Sequence, residues 1–153
     1  KPDAKNKFQK KYPIAQNAIQ LQQGTVMDLY PTILSVAHVK SPKHYVLDGA
    51  DLKKLLQGKE DKNHRDDFLM HFPHGEHRAN YFTTYRKGDW KLIYYYNPET
   101  TGIPTWKLYN LKDDPYETSE LSAKYPEKTA SMIELMKNRL TEENALYPIT
   151  ENK

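Results

Sequence analysis

Apolar residues recur along this chain at two different periods, and the change from one to the other divides it. Val26, Leu29, Tyr30, Ile33, Leu34 and Ala37 return at three- and four-residue steps, the spacing that gathers side chains on one face of a helix. Thr25 stands where its hydroxyl can cap that helix, Asp28 puts negative charge in its first turn, and Pro31 comes early enough for its missing N–H to be tolerated. A shorter helix is predicted in LDGADLKKLLQGK, with Asp51 as cap, Leu52, Leu55 and Leu56 as its apolar face, and Gly58 as a left-handed end. From Asp66 onward the period falls to two, and residues suited to a pleated surface take over.

Strands are predicted over residues 67–72, 80–85, 90–96 and 106–111, the middle two joined through RKGD with Gly88 in the turn. Trp90, Leu92, Tyr94 and Tyr96 share one face of the third strand, while Lys91, Ile93 and Tyr95 share the other. Both faces are therefore expected to be at least partly covered. After a turn at Asp113, Asp114 and Pro115, the residues Met132, Ile133, Leu135, Met136 and Leu140 mark a long closing helix over residues 126–141. The tail beyond it either lies back on the body through Leu146, Tyr147 and Ile149 or is loose. Near the start, Lys, Asn, Gln and Asp dominate the first dozen residues, an exposed lead-in with order beginning near Tyr12. Residues 14–21 read as a short strand closed at Gly24. The fold class is α+β, a small four-stranded antiparallel sheet packed by a long C-terminal helix and preceded by a short strand and helices.

Composition narrows the function classes. At 153 residues, 37% hydrophobic and 28% charged with a formal charge of +3, the chain is a globular domain or subdomain rather than a disordered or nucleic-acid-coating one. Its 23 Lys and Arg are balanced by 20 acids, and no basic run with interleaved aromatics points to nucleic acid. The absence of cysteine excludes disulfides, thiolate nucleophiles and Cys-ligated metals. No stretch approaches the roughly 20 apolar residues of a membrane span, and KPDAKNKFQKKY lacks the apolar segment of a signal peptide. Any export signal is expected upstream. Twelve Tyr and 2 Trp against 4 Phe suit strands and edges where a ring is buried and its polar tip stays wet.

Candidate chemistry is sparse. HFPHGEHR sets His71, His74 and His77 three apart beside Glu76 and Arg78. Pro73 and Gly75 oppose the helix that would bring those imidazoles together, and in an extended segment positions three apart face opposite ways. A polar loop at a strand end fits better than a zinc site. Asp66 and Asp67 would point to opposite faces, and Asp113 with Asp114 is accounted for by turn chemistry. None of the serines at 35, 41, 119, 122 and 131 sits in a GxSxG setting, and no phosphate-cradling glycine loop is present.

TVMDLYPTIL, VLDGADLKKLLQGK, YRKGDWKLIYYY and WKLYNLKDDPYETSEL together resemble, in order and spacing, the C-terminal stretch of type I, formylglycine-dependent sulfatases. That family shows a DLYPTLL helix, an LDG before a leucine helix, an RxGxWKLI strand and an LYDLxxDPxExxNL turn. The resemblance runs from about Gly24 to Leu140. It implies an alkaline-phosphatase-like superfold, in which residues 24–64 end the catalytic domain, residues 65–153 form the C-terminal subdomain, and residues 1–23 are a poorly matched lead-in. The short strand and first helices would then belong to the edge of the missing α/β catalytic domain.

The resemblance also implies calcium and a formylglycine nucleophile for the full-length enzyme, the latter made in a CxPxR or SxPxR motif. No serine here has Pro two residues on, so neither a catalytic residue nor a metal ligand is assigned in this chain, which alone is expected to hydrolyse nothing. By position, the loop before the RxGxWKLI hairpin implies His74, Glu76, His77 and Arg78 as substrate-binding candidates. Arg78 is the best partner for a sulfated or carboxylated sugar because of its planar donor fork. Implied partners are the missing N-terminal catalytic domain and a sulfated saccharide, with no nucleic acid and no membrane span. The implied setting is periplasmic, secreted or lysosomal. Two alternatives stay open, a free-standing carbohydrate- or protein-binding module and a fragment of a related phosphatase or phosphodiesterase.

Overall fold

The computed structural model describes residues 7–73, 81–96, 102 and 104–147, and the chain divides into two units, Lys1–Asp66 and Asp67–Lys153. In the first unit, helix α1 (Lys7–Lys11) precedes a 3-10 turn (Val26–Asp28) that runs into helix α2 (Leu29–Ala37), and a single turn of helix, α3 (Lys53–Leu56), follows. Order therefore begins before Tyr12. That residue is buried, and its hydroxyl donates to Asp51 Oδ1 at 3.0 Å.

The start of α2 is built around a buried carboxylate. Asp28 Oδ2 accepts the Thr25 backbone N–H at 2.6 Å and the Thr25 hydroxyl at 3.1 Å, while Oδ1 accepts the Ala50 N–H at 2.8 Å. The expected cap is thus one half of a capping box: the Thr25 side chain faces the Asp28 N–H, and the aspartate reaches back to the threonine, its two oxygens serving donors from two chain segments at once. Thr32 extends the same seam, donating its hydroxyl to the Asp28 carbonyl at 2.6 Å and accepting the Leu52 N–H at 2.9 Å. Gly49 lies so close to this turn that a Cβ there would meet the Met27 carbonyl oxygen at 2.1 Å, so only glycine fits. The N-cap position of α3 falls on Leu52 rather than on Asp51, which stands two residues ahead of the helix and accepts the Lys53 N–H at 2.9 Å; Gly58 follows α3 with φ of 72°.

Residues 14–21 form no strand. Ile19 and Leu21 are exposed, Asn17 has a positive φ, and the backbone is tied down through side chains instead. Gln20 donates to the Lys59 carbonyl, and Gln22 exchanges bonds with Asp61, donating to its carbonyl and accepting its N–H. Loose alternation without an apolar partner surface does not make a strand.

The second unit is a meander. Strands β1 (Asp67–Phe72), β2 (Phe82–Lys87), β3 (Trp90–Tyr95) and β4 (Trp106–Asn110) pair antiparallel in the order β1-β2-β3-β4. Lys87 faces Trp90 across a two-residue turn, where Gly88 supplies φ of 57°. β2 thus lies two residues beyond its expected position, because it runs into that tight turn despite the charges on Arg86 and Lys87. Helix α4 (Pro126–Glu142) covers one face, its Met132, Met136 and Leu140 closing a core with Tyr85, Leu92 and Leu108. On the opposite face Ile93 and Tyr109 are buried and Lys91 pairs with Glu117 at 2.6 Å, so both faces are partly covered. The open edge of β4 is blunted where Glu120 accepts the Leu108 N–H and Leu121 donates to the Leu108 carbonyl.

The turn expected at Asp113 and Asp114 is present. Asn110 donates its side-chain amide to Asp113, and Asp114 accepts the Ser119 N–H and the Thr118 hydroxyl.

Candidate functional site

Antiparallel order sends the β1–β2 and β3–β4 connections off the same end of the sheet, where Phe72 faces Phe82 and Tyr94 faces Trp106. Period two aligns His71, Thr83 and Tyr94 across that end on the face that α4 covers further along. His71 makes the central contacts. Its Nδ1 lies 2.7 Å from Thr83 Oγ1, and its Nε2 lies 2.7 Å from the Leu146 carbonyl oxygen. Thr83 Oγ1 lies 2.7 Å from the Tyr96 hydroxyl.

The donors follow from the inventory of groups. A carbonyl only accepts, so Nε2 carries a proton, and in the neutral ring Nδ1 accepts from the Thr83 hydroxyl. Thr83 in turn accepts from Tyr96. Burial pushes the Tyr96 phenol up, and the neighbouring Tyr147 and Tyr94 add to that, while the Thr83 bond pulls it down by less. Of the tail beyond α4, Tyr147 lies back on the body, packing edge-on against His71 and Tyr96 with ring centroids 6.0 and 6.2 Å away, while the Leu146 side chain is exposed and Ile149 lies outside the described residues. Tyr94 stacks at a tilt on Trp106 at 4.4 Å. The sheet end therefore offers aromatic bodies with hydroxyl tips, a surface matched to the mixed C–H and O–H character of a sugar ring.

The expected substrate-binding residues His74, Glu76, His77 and Arg78 lie outside the described residues. The segment that holds them springs from β1 immediately after Phe72. Of the three clustered histidines, His71 is described, and both of its ring nitrogens are taken by hydrogen bonds. Asp67 accepts from Tyr85 and pairs with Arg139 on the α4 side.

The described residues do not fit a calcium centre, which would take six to eight oxygens. No three of their His, Asp or Glu groups converge. Asp28, Asp114 and Glu120 each spend their oxygens on backbone N–H groups, and Asp61 on Lys54 and the Asn63 N–H. These same bonds set their acidity. Burial pushes the Asp28 carboxyl up, and the bonds from Ala50 and Thr25, with His64 nearby, outweigh it and hold it below the usual carboxylate range. In this unit His64 donates from Nε2 to the Gln23 carbonyl at 2.7 Å. Among the described residues no helix is long and apolar enough to cross a membrane.

Thr83, Tyr96 and Tyr147 were not singled out by the sequence pattern as site residues. Only the shared parity of His71 with the core face of β1 hinted that it points toward the covered side of the sheet.

Comparison with known proteins is consistent along the chain. A family described as N-sulphoglucosamine sulphohydrolase, C-terminal, matches residues 4–145. A sulfatase of Formosa agariphila is 33% identical over 146 residues, covering 85% of this chain and 25% of the relative. An uncharacterised sulfatase of Schizosaccharomyces pombe is 33% identical over 137 residues, covering 81% of this chain and 23% of its own. Among solved structures, a protein in complex with its substrate D-glucosamine-2-N,6-O-disulfate superposes with a TM-score of 0.59 at 29% identity, over 74% of this chain and 23% of that one. A second, from Bacteroides thetaiotaomicron, reaches a TM-score of 0.61 at 23% identity, over 76% and 24%, a likeness of fold. The chain thus spans about a quarter of the length of the sulfatases it matches. With a four-stranded meander closed by one helix, and with its match running through both units, the chain belongs to the sulfatases, as a member of the N-sulphoglucosamine sulphohydrolase C-terminal family.

Proposed function

We propose that this chain is the C-terminal portion of a sulfuric ester hydrolase and supplies structural support and part of the rim of its substrate pocket, while the reactive centre is encoded elsewhere in the protein. Residues 24–64 then close the catalytic domain and residues 65–153 form the C-terminal subdomain, after a lead-in over residues 1–23. The observation that carries the reading is the sheet end, where His71, Thr83, Tyr96 and Tyr147 gather beside the departure of the segment bearing His74, Glu76, His77 and Arg78. An anionic sugar needs cationic forks for its sulfate and aromatic or hydroxyl groups for its ring. The aromatic and hydroxyl groups at this end of the sheet, and an arginine in the sequence that follows β1, support the reading.

A sulfated saccharide as substrate is supported by the 29% identical solved relative, whose substrate is D-glucosamine-2-N,6-O-disulfate. Packing against a catalytic domain is supported by the 3-10 turn and α2, along which Val26, Leu29 and Ile33 recur at helical steps and are 79%, 52% and 62% exposed. A row of large apolar side chains on one helix face is costly in water and marks a surface made to be covered. Formylglycine chemistry and calcium belong to the upstream part on this reading, as does an export signal to the periplasm, the lysosome or the exterior. This chain, with no cysteine, contributes recognition and support.

The test is turnover. The full-length protein with calcium should release the phenol from an aryl sulfate and sulfate from N- or O-sulfated glucosamine, whereas residues 1–153 alone should release neither. Arg78→Ala in the full-length protein should raise KM for the saccharide by roughly tenfold or more, the loss of one charge-assisted bidentate contact. Turnover by the isolated chain, or hydrolysis of aryl phosphate in preference to aryl sulfate, would overturn the reading.

A further inference from the structure

Tyr147 is held in place from three directions and is still more than half exposed. The carbonyl of its predecessor, Leu146, is fixed by His71 Nε2–H at 2.7 Å. Its ring meets His71 at 6.0 Å and Tyr96 at 6.2 Å, and those two rings are themselves 6.0 Å apart. The three centroids form a nearly equilateral triangle, so both partners lie toward one side of the Tyr147 ring. Consistent with that, Tyr147 remains 56% exposed. A large aromatic group with two side-chain torsions, fixed by packing and open on one side, is a contact surface with little entropy left to lose on binding.

His71 is what sets this arrangement. It stands on β1 and joins three elements that meet only in space: Thr83 of β2, Tyr96 at the end of β3, and the tail after α4. Thr83 is completely buried, so the imidazole is braced from inside the sheet, and its outer nitrogen is left to aim at one carbonyl. The chain of bonds runs in one direction, from the Tyr96 hydroxyl to Thr83, from Thr83 to Nδ1, and from Nε2–H to Leu146.

We propose that Tyr147 is a sugar-stacking residue of the recognition rim and that His71 is its positioning residue, holding the tail so that the ring faces the sheet end from which the two long connections depart. The inference rests on the reading of the chain as part of a sulfated-saccharide hydrolase and extends it to a neutral contact with the pyranose ring, separate from any contact with sulfate. A flat C–H face of a sugar fits an open phenol ring, whereas an aryl sulfate small enough to occupy only the reactive centre does not reach it.

The experiment measures kcat and KM of the full-length enzyme for 4-nitrophenyl sulfate and for the best-hydrolysed member of a panel of N- and O-sulfated glucosamine and galactosamine. Tyr147→Ala should raise the saccharide KM about five- to tenfold with kcat and both aryl sulfate constants unchanged, and Tyr147→Trp should restore it. Two variants separate positioning from mere stability. His71→Gln keeps an N–H near the place of Nε2 and should retain most saccharide affinity. His71→Asn keeps only the Thr83 side of the network and should behave like Tyr147→Ala.

An unchanged saccharide KM in Tyr147→Ala overturns the inference and leaves the sulfatase reading standing, as does a parent enzyme that hydrolyses the aryl sulfate but no sugar. A parent enzyme inert toward every sulfate ester overturns the sulfatase reading and this inference with it. If the His71 variants melt early, the two Tyr147 variants still decide, because that exposed ring lies outside the apolar core.

Discussion

Asp28 Oδ1 accepts the backbone N–H of Ala50 at 2.8 Å, across 22 residues of chain. Thr32 repeats the pattern one turn later with the Leu52 N–H. Two of the segments that resemble the sulfatases, DLYPT and LDGADL, are thus opposite sides of one seam. Their side chains are spent on backbone groups rather than offered to a ligand, so the resemblance there reports architecture.

Replacing Asp28 by Asn should destabilise the first unit by about 2–4 kcal/mol, since an amide presents one acceptor where a carboxylate presented two and leaves a buried donor without a partner. Thr32→Val should cost about 1–2 kcal/mol for the same reason on a smaller scale. Urea unfolding of the protein, followed for each variant, measures both. A midpoint unmoved in Asp28→Asn would show that the seam contributes nothing net.

The same carboxylate sets an acid limit. Its folded acidity is held below the usual range by the Ala50 and Thr25 bonds, which outweigh burial. Asp114 and Glu120 are held low too, Asp114 chiefly by the Ser119 N–H and Glu120 by the Leu108 and Ser122 N–H groups against burial. With the folded pKa below the unfolded one, the unfolded state binds more protons as pH falls, so stability is complete above the ordinary carboxylate range of about 4 and drains away as pH drops through the folded values. Thermal melts from pH 6 down to 2 should show that fall, and Asp28→Asn should flatten part of it.

At the alkaline end the sign reverses. Burial pushes the phenols of Tyr12, Tyr95, Tyr96 and Tyr109 up. Unfolding then releases protons once pH exceeds the ordinary value of about 10, so stability is full below it and declines as pH rises through the folded values. Phenolate absorbance during a pH jump should appear in two stages, exposed rings at once and buried ones with unfolding.

In the second unit the contrast between apolar and ionic contacts is testable. Leu92→Ala or Met136→Ala should cost about 2–5 kcal/mol, because each side chain is fully buried in the core under α4. Arg139→Ala, which removes ion pairs to Asp67, Glu142 and Glu143 at partly exposed positions, should cost about 1 kcal/mol or less. Denaturant midpoints for the three variants rank the two kinds of contact directly.

Where local pattern and tertiary contact agreed, the fold could be read in advance. β1 was anticipated to the residue and α4 to within one at its end, because alternation of Leu69 and His71 or the steps of Met132, Met136 and Leu140 state which side is buried. Residues 14–21 alternate as well, yet their apolar members find no partner surface, and glutamine side chains hold the backbone in its place. The seam at Asp28 was half legible: its charge in the first turn was evident, its second donor at Ala50 was not. The His71 network was hidden altogether, since its partners lie 12 and 75 positions away in the chain, and no local period encodes a hydrogen bond made by a loop or a tail.

Each strand of the second unit pairs with its neighbour in sequence. Zippering can therefore advance hairpin by hairpin as the ribosome delivers the chain, with a two-residue turn between β2 and β3, longer connections on either side of that pair, and no early strand left waiting for a distant mate. What must wait is the apolar side of that sheet, which stays wet until Met132, Met136 and Leu140 have been synthesised. A nascent chain paused between β4 and α4 would thus carry a finished hydrogen-bond ladder and an uncovered greasy face, the interval in which a chaperone has most to do.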